Sequence, residues 1–167
     1  MGDGSNTDQY LTFRLADETY AMSVASIREV LEVPRITRVP RMPAYLEGII
    51  NLRGNVVPVM DLAQKFGIGK TAFTQDTSVI VTEITGVFSD DADETLVVGI
   101  FSDMVLKVVD IPRDMIEPPP SIGTGVDTSF IAGMGKVDDS FVIILKLDSV
   151  LSEEELADVD RRRGTMQ

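Results

Sequence analysis

The feature that most constrains this chain is that part of it is written twice. YLEGIINLRGNVVPVMDL, residues 45–62, lies over FIAGMGKVDDSFVIILKL, residues 130–147, at a constant offset of 85. Tyr45 stands over Phe130, Gly48 over Gly133, Leu52 over Val137, Val56-Val57 over Phe141-Val142 and Leu62 over Leu147. A shorter echo, ETYAMSV against ETLVVGI, recurs at an offset of 76. Internal similarity of this kind marks a copied structural unit, here a small β unit closed by a hairpin. Short strands with turns at this density point to two small barrels rather than to a βαβ sheet.

Residues 1–9 are small and polar, a composition that predicts a disordered start. YLTFRL alternates apolar and polar positions, ADE supplies turn residues and TYAMSV resumes the alternation, so 10–24 reads as a β-hairpin. Val24, Ile27 and Val30 recur at spacings of three, which predicts a short helical segment begun near Ser23 or Ser26. IINLR and VVPVMDL read as strands meeting at Gly54-Asn55. Pro58 lacks an N–H, which places the second of them at an edge or a bulge. DLAQKFG is a short helical exit, and SVIVTEI, ETLVVGIF and MVLKVVDI are further strands. FIAGMGKV and SFVIILKL make a last hairpin around Asp138-Asp139. In SEEELADVDRRR, Ser152 and Glu155 have capping-box spacing, with acids in the first turn and arginines in the last, which predicts a helix. The expected organisation is a first β-barrel lobe over 10–68, a second over 69–150, and a C-terminal helix and tail over 151–167. The terminal strands are free to cross between lobes.

Composition removes whole classes of chemistry. The chain has no cysteine and no histidine, which excludes thiol catalysis, cysteine metal sites, phosphoryl transfer to histidine and the usual general base. With 27 acidic against 15 basic side chains, the formal charge of −12 repels a phosphate backbone and an anionic bilayer alike. Nucleic acid and direct membrane binding are therefore not expected. The opening MGDGSNTDQ has no basic or apolar signal segment, and no apolar run approaches the ~20 residues that span a bilayer, so the expectation is a soluble cytoplasmic protein.

Within the repeat, the two hairpin tips differ. The first is Arg53-Gly54-Asn55 and the second Asp138-Asp139-Ser140. Either set can turn, so the arginine answers to something specific to the first copy, and its planar five-donor fork suits a carboxylate or several carbonyls. The alternative is a solvated arginine on an exposed turn.

YLTFRLADETYAMSVASIREVLEV, TRVPRMPAYLEGIINLRGNVVPVMDLAQKFG, VVGIFSDMVLKVV and FIAGMGKVDDSFVIILKLDSVL together resemble the CheW family, coupling proteins of bacterial chemotaxis. The likeness runs from residue 10 to about 151, and P-A-Y-L-E-G-I-I-N-L-R-G followed by V-P-V-M-D-L is its most diagnostic part. The resemblance implies a mainly β fold of two intertwined five-stranded SH3-like barrels with short helices. It implies no enzymatic activity and no cofactor. It implies an adaptor that joins the regulatory domain of the histidine kinase CheA to the cytoplasmic hairpin tip of chemoreceptors, a cytoplasmic protein recruited to membrane receptor arrays.

Carried over by motif, the arginine of N-L-R-G is Arg53 and Glu29 is the position of its acidic partner, with Gly48, Gly99 and Gly133 completing the implied receptor contacts. Leu11, Val24 and Ile27 are the implied kinase contacts, although core packing is the ordinary fate of such residues. The acidic stretch Ser89 to Glu94 and the prolines at 118–120 are not part of the family pattern. A rival reading, a carboxylate enzyme using Asp61, Asp103 and Asp110, would need two of them facing across a cleft. Strand-end aspartates are more commonly turn formers. A second rival is the same kind of adaptor in a different chemosensory pathway, such as surface motility.

Overall fold

The alternation read in the sequence becomes ten strands and one short helix in the computed structural model, which describes residues 7–85, 95–119 and 129–150. The strands are β1 (Thr7–Leu15), β2 (Glu18–Ser23), β3 (Ile27–Glu32), β4 (Leu46–Leu52), β5 (Asn55–Met60), β6 (Ser78–Thr85), β7 (Thr95–Ser102), β8 (Met104–Pro112), β9 (Ile131–Val137) and β10 (Ser140–Leu145); α1 is Leu62–Lys65. They form two five-stranded sheets, the first in the order β3-β6-β7-β5-β4 and the second in the order β8-β1-β2-β10-β9.

The two orders are the same once β1 to β5 are laid on β6 to β10, so the repeat is structural, with one exchange. Each sheet takes its central hairpin from one copy and its other three strands from the other. The parallel pairs make the equivalence explicit: Val59 lies opposite Gly99 in the first sheet, and Ile144, its repeat partner, lies opposite Ala21 in the second. Structurally Ala21 therefore matches Gly99, two residues away from the register that ETYAMSV and ETLVVGI suggest. A slip of two keeps every side chain on its face, which is why the echo is visible in the sequence despite the wrong register.

Three apolar clusters follow from this arrangement. Ile50, Val57, Val59, Val79, Val81 and Phe101 fill the first barrel; Tyr10, Ala21, Ile111, Val142 and Ile144 fill the second. Phe13, Leu15, Met22, Leu62, Ile80, Leu96 and Ile100 belong to the seam between them. Leu11, also in the seam, is only 7% exposed, so this expected kinase contact is a core residue.

Several expectations need correction. The division at residue 68 does not follow the sheets, because β1 and β2 sit with β8 to β10 while β6 and β7 sit with β3 to β5. The disordered start does not reach residue 9: β1 begins at Thr7, and Asp8 accepts two hydrogen bonds from Arg113, at 3.0 and 3.1 Å. The helical segment is a single 3-10 turn, Val24–Ser26, capped by the Ser23 hydroxyl, after which Ile27 and Val30 lie on β3. Val24 and Ile27 thus share no helical face. Pro58 is not at an edge, since β5 lies between β7 and β4, and it is not bulged, since the irregularity of that hairpin lies between Leu46 and Gly48. Its missing donor is tolerated because the pairing with β7 begins one residue later, at Val59. The C-terminal helix expected over 151–167 and the acidic stretch 89–94 lie outside the described residues.

Candidate protein-docking site

The first barrel's closing hairpin ends in a two-residue turn in which both central residues have positive φ, Arg53 at 52° and Gly54 at 86°. That geometry continues the right-handed twist of β4 and β5. The Asn51 side chain accepts the Gly54 N–H at 2.8 Å and holds the turn. Opposite the tip, β3 carries an irregularity between Ile27 and Glu29, next to Glu29 itself, which is paired with Val81.

These two backbone features deliver Glu29 and Arg53 to each other. Arg53 Nη1 donates to Glu29 Oε2 at 2.6 Å and Nη2 to Oε1 at 3.0 Å, a two-pronged fork. The hydrogen bond from the guanidinium, reinforced by its charge, lowers the pKa of Glu29 from the ordinary glutamate range and raises that of Arg53. The arginine side chain remains 71% exposed and the glutamate 24%, so the pair is a surface feature. Arg28 forms an ion pair with Glu83 beside it. Leu52, Val56, Val57 and Val97 floor the open depression of about 580 Å3 in which both arginines and Glu29 stand. A partner there meets a shallow apolar floor ringed by two guanidinium groups.

The three glycines are buried, and the chain itself fills the space a side chain would need. A Cβ on Gly48, whose φ is 153°, would sit 2.4 Å from the Thr37 carbonyl oxygen; one on Gly133 would sit 2.5 Å from Ile116 Cγ2 and 2.9 Å from the Glu117 carbonyl oxygen. A Cβ on Gly99 would meet Val79 Cγ1 at 2.8 Å, inside the first barrel. The registers place Glu29, Val81, Gly99, Val59 and Gly48 in one cross-strand row of the first sheet, whereas Gly133 lies in the second; each glycine serves a close approach within its own barrel. Val24 and Ile27 are half-buried where the chain crosses from β2 to β3, with Ile27 packed against the seam. Arg28 was not singled out in the sequence, and the exposed Val30, 42% accessible on β3, was read there only as part of a helical spacing. Only the strand alternation of IREVLE could have flagged them, and the spacing of three concealed it.

Two of the three aspartates of the enzyme reading have other occupations. Asp61, 1% exposed, accepts from Ala63 N–H, Thr71 N–H, the Thr71 hydroxyl and Gln64, which ties α1 to the loop after it. Asp103 accepts the Ala16 N–H at 2.9 Å and steadies the β1–β2 turn. Asp110 is exposed on the edge strand β8. Among the described residues no group of three or more acidic side chains is placed to hold a metal ion, and no helix is long and apolar enough to cross a membrane.

Two interlocked barrels with an ion-paired, apolar-floored tip define a duplicated β scaffold. A match to the CheW-like domain spans residues 9–155, and the chain belongs to that family. It is 30% identical over 152 residues to the chemotaxis protein CheW of Klebsiella aerogenes, covering 91% of this chain and 86% of that one. Over 112 residues it is 30% identical to the protein FrzA of Myxococcus xanthus, covering 67% of this chain and 64% of that one. The crystal structure of the scaffolding protein TtCheW from Thermoanaerobacter tengcongensis superimposes with a TM-score of 0.76 at 37% identity, covering 90% of this chain and 92% of that one.

Proposed function

We propose that this chain is a non-enzymatic adaptor that couples chemoreceptors to the histidine kinase CheA. The observation that carries this reading is the Glu29–Arg53 fork, held on an exposed tip beside an apolar depression. It fits the polar and apolar side chains of a receptor hairpin tip and needs no reacting group. The kinase regulatory domain is assigned to the crossover at Val24 and Ile27, which leaves both apolar side chains half-buried. Membership of a family whose relatives include chemotaxis proteins and a scaffolding protein supports the same reading.

The test is a pull-down of the full chain with each partner separately, a receptor cytoplasmic fragment and the CheA regulatory domain. Arg53→Ala should lose the receptor fragment and keep the kinase domain, and Val24→Asp should do the reverse. Binding of both partners by both variants at wild-type levels would reject the site assignments, and no binding by the wild-type chain would reject the function. The likeness to FrzA supports a second reading, the same adaptor serving a different chemosensory pathway such as surface motility. Receptor fragments from that pathway captured in preference to chemotaxis receptors would select it.

A further inference from the structure

The duplication sets this molecule a recognition problem, because a partner shaped to one barrel is offered nearly the same shape by the other. The structure contains a solution. Leu11 and Ile80 are equivalent in the two sheets, and their neighbours on the outer strands are Val108 and Val30, so Lys107 on β8 occupies the place that Glu29 occupies on β3. Asp138 is likewise the repeat partner of Arg53, with φ of 51° against 52° at the same position of the turn. Lys107 Nζ donates to Asp138 Oδ2 at 2.8 Å. Both outer strands are irregular beside this position: β3 between Ile27 and Glu29, and β8 where Thr12 on β1 turns its hydroxyl to the Lys107 carbonyl at 2.7 Å. Each barrel therefore has an ion pair clasping its outer strand to its hairpin tip, and the polarity is inverted. The first has acid on the strand and cation at the tip; the second has cation on the strand and acid at the tip.

We infer that this inversion is a specificity device: Lys107 and Asp138 exclude from the second barrel the receptor segment that docks on Glu29 and Arg53. Both tips are solvent-facing, with Arg53 71% and Asp138 78% exposed, so each tip displays its charge to an arriving partner. A segment with acceptors arranged for the Arg53 guanidinium meets a carboxylate at the equivalent place, and Asp139 beside it adds a second. Like charge at a matched position discriminates by repulsion where shape alone does not. As a clasp, either polarity closes the barrel, so structure alone imposes no choice between them.

This inference rests on the receptor assignment, and the test separates the two. Glu29→Lys with Arg53→Asp keeps an ion pair at the first tip and gives it the polarity of the second. The expected result is a folded chain with wild-type kinase-domain binding and at least tenfold weaker binding of the receptor cytoplasmic fragment. Receptor binding within twofold of wild type would overturn the inference, because the presence of the clasp and not its sign would then matter. A second variant, Lys107→Glu with Asp138→Arg, leaves the first barrel untouched. It should add a second, weaker receptor footprint over β8 and the β9–β10 tip in hydrogen exchange. A footprint confined to the first barrel in that variant would also overturn it. Failure of the wild-type chain to bind the receptor fragment at all would remove the receptor assignment and the inference with it.

Discussion

Asp61 shows what single residues do here. Its buried carboxylate receives Thr71 through both the backbone N–H, at 2.9 Å, and the hydroxyl, at 2.8 Å. Asp61→Ala leaves these donors without partners in a buried place, and denaturant unfolding should show a loss of about 3 kcal/mol; a loss below about 0.5 kcal/mol would contradict the role given to it. Arg53→Ala removes only exposed contacts, so its unfolding midpoint should stay near wild type while receptor binding falls. Glu29 adds a pH signature. Its pKa is lowered by Arg53, so the contribution of the pair is present above the pKa of an unfolded glutamate, near 4.5, and is lost as pH falls through the lower folded value. Receptor binding that depends on this pair should hold at pH 5 and fail only in stronger acid, which a titration of affinity against pH would check. The Glu29 and Arg53 positions were legible from the motif, and the tip contrast with Asp138 from the repeat. The Asp61–Thr71 contact was not, because no local pattern says which residue ten positions on will turn back.

Among the elements, β3 was the hardest to read. Ile27, Glu29 and Leu31 are half-buried and Arg28, Val30 and Glu32 exposed, a period of two, yet the exposed valine mimics a helical spacing of three. A short segment with so few apolar residues fits either template, and pairing with β6 decides between them. Hairpins were legible because their turns are local, as at Ala16-Asp17 and Asp138-Asp139, where both residues adopt positive φ. The glycines of β4 and β9 were visible as a repeat, but their reason is tertiary: a crossing segment that bridges Thr37 to Ile49 in one copy and Glu117 to Met134 in the other. Gly133→Ala forces a Cβ to 2.9 Å from the Glu117 carbonyl oxygen and should cost about 1–3 kcal/mol. An unchanged unfolding midpoint for that variant would show that the segment can step aside.

At the scale of the molecule, the exchange of hairpins makes each copy incomplete without the other. Residues 1–68 alone would lack β6 and β7 from the first sheet, and residues 69–167 would lack β1 and β2 from the second. Calorimetry should therefore give one transition whose calorimetric and van't Hoff enthalpies agree, and neither half should fold by itself; two separated transitions would contradict the interlocking. The sequence showed the duplication and nine of the ten strands, and left open that terminal strands cross, but not which strands are exchanged, since pairing between β2 and β10 or β5 and β7 joins residues far apart in the chain. In the function proposed above, that interlocked scaffold would hold two proteins at once, with the receptor at Glu29 and Arg53 and the kinase at the crossover near Val24 and Ile27. The most direct test is sedimentation of a receptor cytoplasmic fragment and the CheA regulatory domain with and without this chain. A ternary species that forms with the wild-type chain, and is lost with Arg53→Ala while the kinase pair survives, is the result this account predicts. Mutually exclusive binding of the two partners would contradict it.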